Sequence, residues 1–146
     1  ILGFKKIKEA HPDVKLATGE MIQNKVMFKQ FIENKSLDYC QIDSCRIASL
    51  NEIIPVLLMA SKFNTPVIPH AGGIGLCEYV QHLNLINKFI ITNNDLSLSE
   101  YAESCSEHFE NPAIIKSGGY VTTTSPGYSV KIKESSLEEF DFNNGI

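Results

Sequence analysis

The sequence predicts an α/β fold: parallel strands with outer helices, arranged as the C-terminal half of a TIM-like (β/α) barrel, followed by an extended C-terminal tail. Short apolar runs alternate with stretches of helical periodicity, the pattern of a parallel sheet covered by helices. Successive strands recur at about 25 residues, a spacing that suits a β-α-β unit. Three of the runs close on a residue with acid, base or metal-ligand chemistry: LATGE ends at Glu20, YCQID at Asp43 and VIPH at His70. In a (β/α) barrel the strand C-termini converge on the active site, which draws its residues from several strands.

Each element has its own signal. Residues 2–10 read as the end of a helix, broken by His11, Pro12 and Asp13. Residues 14–18 form the first strand. Residues 21–33 place Ile22, Val26, Phe28, Phe31 and Ile32 on an imperfect helical face, ended by Asn34 and Lys35. Residues 38–42 are the second strand. The cleanest helix is 50–63, where Leu50, Ile53, Ile54, Leu57 and Leu58 follow the spacing of one buried face. Ser49 with Glu52 suggests a capping box at its start, and Pro55 a local bend. Residues 66–69 give the third strand, and Leu76, Tyr79, Val80 and Leu83 the next helix. FIIT at 89–92 suggests a fourth strand and residues 99–109 another helix.

From Asn111 onward Gly, Thr, Ser and Pro surround short apolar pairs, which reads as the extended tail and an acidic surface terminus. Four strand–helix units make half of an eight-stranded barrel, with two strand edges and one flank of its core open. The expectation is a C-terminal piece of a larger enzyme, or a half barrel that dimerises.

The 146 residues suffice for one core but fall short of the ~250 of a whole barrel. A net charge of −4 with no basic stripe argues against a nucleic-acid partner. No apolar run approaches the ~18 residues of a membrane span. Cys40, Cys45, Cys77 and Cys105 contain no C-x-x-C pair, which disfavours a zinc ribbon. Cys40, Cys77 and Cys105 lie in or beside apolar runs and read as reduced core thiols. A reducing compartment, cytoplasmic or mitochondrial, fits them, and no targeting segment is visible to choose between the two.

The strand-end residues admit two readings each. Glu20 is either a Mg2+ ligand, given that ion's preference for hard oxygen donors, or a solvated cap of the following helix. Asp43 and His70 end neighbouring strands, so the carboxylate could fix the imidazole tautomer and leave the other nitrogen to move a proton. The alternative is a helix-capping Asp beside an unrelated core His. AGGIG at 71–75 is either a close approach of backbone to a ligand or a tight turn, and it is not a dinucleotide fingerprint. Glu100, Glu103, Glu107 and Glu110 could form one solvated helix face; His11, His82 and His108 read as surface or structural, and Lys5, Lys6 and Lys8 as exposed.

Read together and in order, ATGE to Glu20, QIDSCR to Arg46 and PHAGGIGLCE to Glu78 resemble the C-terminal half of the enolase superfamily, and within it the L-fuconate dehydratases. The resemblance runs from Ile1 to about Gly127, where SPGY resembles the return segment toward a capping domain. It implies residues 1–110 as the late strands of an enolase-type barrel and 111–146 as a tail packing on a capping domain outside this sequence. It implies Glu20 as the last of three carboxylate ligands for an essential Mg2+, and Glu20 also beside the substrate. It implies His70 as the catalytic acid–base residue with Asp43 orienting it, and Ala71, Gly72 and Glu100 as substrate contacts. The implied reaction is α-proton abstraction from an acid sugar, L-fuconate, and loss of its 3-hydroxyl to give a 2-keto-3-deoxy acid. The residues that resemblance also requires, a Lys-x-Lys strand and two earlier metal carboxylates, are not in this sequence, so the fragment is expected to be inactive alone. A small-molecule acid sugar is then the expected partner, and a homo-oligomer of the full-length parent is left open. Another superfamily dehydratase, a racemase or a non-catalytic binding module are the competing readings; a flavodoxin-like open sheet does not explain the Glu–Asp–His series.

Overall fold

A computed structural model describes residues 1–93, 97–102 and 104–144. Helix α1 spans Leu2–Ala10, strand β1 Ala17–Thr18, α2 Lys25–Glu33, β2 Tyr39–Cys40, α3 Leu50–Lys62 and α4 Leu76–Ile86. A π-helical turn, Asn87–Thr92, continues α4, and a single 3-10 turn covers Ser106–His108. The hairpin β3 Ile115–Lys116 and β4 Gly119–Tyr120, then helix α5 Glu134–Glu139 and a last 3-10 turn, complete the chain.

The parallel sheet is short in regular pairing but its register is clear. β1 pairs with β2 through Ala17 opposite Tyr39 and Thr18 opposite Cys40. Cys40 then bridges in parallel to Val67, the centre of the third expected strand. The ladder continues as single bonds: the Cys40 N–H donates to the Pro66 carbonyl at 2.8 Å, Ile68 to Cys40 at 2.9 Å and His70 to Ile42 at 3.0 Å. All three runs therefore point the same way and end at one rim, at Glu20, Asp43 and His70. The half-barrel reading holds in this part of the fold.

The helices pack on the outer face. Asn24 caps α2, its side-chain oxygen accepting the Met27 N–H at 2.9 Å. Phe28, Phe31 and Ile32 of α2 meet Ile53, Val56, Leu57 and Ala60 of α3, over Leu37, Cys40, Ile42 and Val67 of the sheet. Asp38 ties α1 to the strands: its carboxylate accepts the Leu16 N–H at 2.9 Å and pairs with Lys8 at 2.9 Å. Lys8 is thus not the free surface lysine its neighbours suggest.

Several expectations are corrected. The buried face of α3 is rotated from the expected one, leaving Leu50 and Leu58 exposed; Val26 of α2 is exposed too. The Ser49–Glu52 capping box does not form, because the Glu52 carboxylate turns to the backbone N–H and ammonium of Lys25. Pro55 lies within α3, which runs through it.

FIIT is not a strand. No Gly or Pro separates it from α4, and a short apolar run does not reveal its own period. It winds on as the π turn, with the Thr92 hydroxyl donating to the Asn87 carbonyl at 3.0 Å. The expected helix at 99–109 shrinks to its 3-10 turn. Cys105 adopts a left-handed φ of 56°, and carbonyls that a helix would use are engaged from outside. Glu103, assigned to that helix face, lies outside the described residues. The tail is more ordered than expected: Ser117 and Gly118, with φ of 52° and 77°, make the two-residue turn of the β3–β4 hairpin. Its later part returns beside residues 108–110, where Phe109 bridges antiparallel to Ile132.

Candidate active site

The rim of the parallel sheet is built by local necessity. Gly19 sits at φ 145°, and a Cβ there would fall 2.8 Å from the Gln41 carbonyl oxygen and 3.0 Å from the Phe28 ring. Only glycine lets β1 end against its neighbour in this way and deliver Glu20 to the mouth. Glu20 is half exposed there, with Oε2 3.3 Å from His70 Nδ1.

His70 is the centre of the cluster. Its ring is mostly buried, and Nδ1 lies 2.8 Å from Glu100 Oε2. The same Glu100 oxygen accepts the Ala71 N–H at 2.6 Å. An imidazole nitrogen facing two carboxylates must carry hydrogen, so Nδ1 is the donor and Nε2 is left to exchange a proton. Gly72 covers the ring: a Cβ at 72 would stand 2.6 Å from His70 Cε1. Glycine is needed here for close approach to the ring, not for a special φ.

Asp43 is buried but does something else. Its Oδ1 accepts the N–H groups of Cys45 at 2.7 Å and Arg46 at 3.4 Å, closing the turn that follows β2. No hydrogen bond or ion pair joins Asp43 to His70 among the described residues; Glu100 holds the imidazole instead. Ala71, expected to contact substrate, is fully buried, and its N–H is engaged by Glu100. Gly72 remains exposed beside the ring. Glu20, His70, Ala71, Gly72 and Glu100 are therefore brought together, with Asp43 at the same rim but turned to its own loop.

Two supports lay outside the sequence reading. Tyr120 of β4 donates its hydroxyl to the Glu100 carbonyl at 2.7 Å, and fully buried Glu78 of α4 accepts the Ala113 N–H at 3.0 Å. Burial raises the Tyr120 hydroxyl above its usual range, with the Cys77 thiol adding to the effect, so it stays a donor. The signal for Tyr120 was the Ser-Gly-Gly turn between two apolar pairs, which marks a hairpin.

Two of the thiols are held in the protonated form. Burial pushes Cys40 to about 12, and burial together with the Asp43 charge raises Cys45. All four cysteines are unpaired with one another, although Cys105 is only half-buried and Cys45 exposed. His82 and His108 are structural, meeting the hydroxyls of Ser129 and Ser136.

Among the described residues no group of three or more His, Cys, Asp or Glu is arranged to hold a metal ion. Glu20 can offer one hard oxygen to Mg2+, but the other ligands must come from elsewhere. Clefts of about 580, 400 and 370 Å3 are lined by other residues, and none includes Glu20, His70 or Glu100. No helix among the described residues is long and apolar enough to cross a membrane.

Known proteins share the family and the fold of this chain. Residues 1–136 match the family model described as enolase C-terminal domain-like. Mitochondrial enolase superfamily member 1 of Xenopus laevis is 49% identical over 148 residues, covering 99% of this chain and 33% of that protein. L-galactonate dehydratase of Hypocrea jecorina is 45% identical over 144 residues, covering 97% and 32%. The crystal structure of human mitochondrial enolase superfamily member 1 superposes with a TM-score of 0.91 at 42% identity, over 99% of this chain and 33% of that one. The chain spans about a third of the length of the curated relatives it matches.

Proposed function

Since this chain belongs to the enolase C-terminal domain-like family, we propose that it forms the acid–base wall of a sugar-acid dehydratase, acting on L-fuconate or its 6-hydroxy counterpart L-galactonate. The observation that carries this reading is the single Glu100 oxygen shared by His70 Nδ1 and the Ala71 N–H. That arrangement fixes the imidazole against the backbone and aims its free nitrogen for proton transfer.

The reaction removes water across C2 and C3 of the acid. A base takes the C2 proton, the C3–O bond breaks as its oxygen is protonated, and the resulting enol becomes a 2-keto-3-deoxy acid. His70 is the group assigned to protonate the departing 3-hydroxyl. As an acid it carries hydrogen on both nitrogens; Nδ1–H stays on Glu100 and Nε2–H is delivered. The C2 base is not among the residues of this rim, which agrees with the chain forming only part of a site.

Mg2+, when bound, would stabilise the negative charge of the ene-diolate, as is general in enolase-superfamily sites. Glu20 is the residue here that would share in holding it. Two substrates are named because one relative is an L-galactonate dehydratase and L-fuconate differs from L-galactonate only in lacking the C6 hydroxyl.

The test is an assay of the protein carrying this chain at the length of its relatives, with each acid and Mg2+. A 2-keto-3-deoxy product is expected. His70→Asn should lower its rate by about 100- to 10,000-fold, the usual worth of a positioned acid–base group. Racemised starting acid without keto product would reject dehydration in favour of a racemase.

A further inference from the structure

We infer that Tyr120, from the C-terminal hairpin, is a positioning residue that sets where the Glu100 carboxylate stands. The inference rests on the reading of Glu100 as the partner of His70. Residues 97–102 form no helix or strand, so no ladder of backbone bonds holds Glu100 in place. The carboxylate nevertheless lies 2.6 Å from the Ala71 N–H and 2.8 Å from His70 Nδ1.

Within the segment the Ser99 hydroxyl donates to the Glu100 carbonyl at 3.3 Å, and the shorter bonds come from outside it. Tyr120 donates to the Glu100 carbonyl at 2.7 Å, and its ring meets Tyr101 edge to face at 5.9 Å. The Cys77 thiol of α4 points to the Ala102 carbonyl at 3.2 Å. Three consecutive residues, 100 to 102, are thereby gripped on one side by β4 and α4. The hairpin is itself fixed: Val121 donates to the Ile114 carbonyl at 2.8 Å, and Glu78 anchors Ala113. The Tyr120 hydroxyl thus acts through the Glu100 backbone on a carboxylate on the far side of the same residue.

Tyr120→Phe keeps the ring on Tyr101 and removes the hydroxyl, with its bond to the Glu100 carbonyl and its contacts to Cys77 and Ser99. The readout is the Ala71 amide of this chain, followed by its proton chemical shift and its hydrogen-exchange rate. Glu100→Ala gives the signature of a lost acceptor at that amide. In Tyr120→Phe the Ala71 amide should move toward the Glu100→Ala position and exchange faster by on the order of tenfold, the effect of one lost hydrogen bond. Amides of α2 and α3 should keep their rates.

An unchanged Ala71 amide in Tyr120→Phe overturns the proposal. So does uniform acceleration of every amide, since that marks a purely structural residue. The measurement needs no substrate. Failure of the dehydratase assay with a positive amide result would reject the proposed reaction alone, and the reverse would reject Tyr120 alone.

Discussion

At the scale of single residues, the rim depends on side chains that are absent as much as on those present. Replacing Gly72 by Ala would put a methyl 2.6 Å from His70 Cε1 and 3.1 Å from Nε2. Something must shift, and a swing of the ring would draw Nδ1 away from Glu100. Gly72→Ala should therefore lower kcat on the order of 100-fold, as expected for a misplacement near 1 Å, with little change in thermal stability because residue 72 is exposed. Parallel activity and melting measurements check both halves.

Asp38 gives a pH prediction: burial raises its carboxyl, but the Leu16 N–H and Lys8 outweigh burial and hold it below its ordinary value. A depressed folded-state value means stability that is fully present above the ordinary carboxylate range and lost as pH falls through the folded-state value. The stability gap between wild type and Asp38→Asn should be full at neutral pH and close in acid, as read by urea unfolding across pH. That Glu20 and His70 stand at the strand ends was legible because each ends an apolar run. The contacts of Asp43 were not, because spacing along the chain does not reveal that its carboxylate turns back to Cys45 and Arg46.

At the scale of elements, the contact between α2 and α3 is the main mechanical unit. Phe28 is fully buried between α2, the sheet and the back of Gly19. Phe28→Ala should cost about 3–5 kcal/mol in chemical denaturation, the range for deleting a buried aromatic ring. It should also loosen the β1 terminus, and with it Glu20.

Helices α1 to α3, the start of α4 and the three parallel runs were readable from apolar patterning, because each is set off by a turn or a breaker. FIIT failed on the same ground: it follows α4 without a break, and four apolar residues fit a strand or a helix equally well. The segment at 99–109 misled for another reason. Its composition suits a helix, but Tyr120 and Cys77 take its carbonyls, and those bonds come from residues distant in sequence.

At the scale of the whole molecule, the half-barrel architecture and the family were both visible in the order of the three strand ends. What could not be read was how the tail packs back on α4 and on residues 97–110, since that depends on long-range bonds such as Ala113 to Glu78, Tyr120 to Glu100 and Glu110 to Lys131. The chain covers a third of its relatives, and it presents Phe89 and Ile90 of the π turn at 64% and 77% exposure. Surfaces of this kind drive association. The isolated chain should bind a hydrophobic dye and show a sedimentation coefficient that rises with concentration. A monodisperse monomer without dye binding would show that the open flank is tolerated.

The hairpin clamp also has a consequence in time. A chain emerges from its amino end, and early segments begin folding while later ones are still being added. Glu20, Asp43, His70 and Glu100 are all made before Tyr120. The imidazole therefore waits for a settled partner until the hairpin has been synthesised and folded back. A product halted between Ser104 and Tyr120 would contain every acid and base of the rim, and would still lack the bond that holds Glu100 by its backbone.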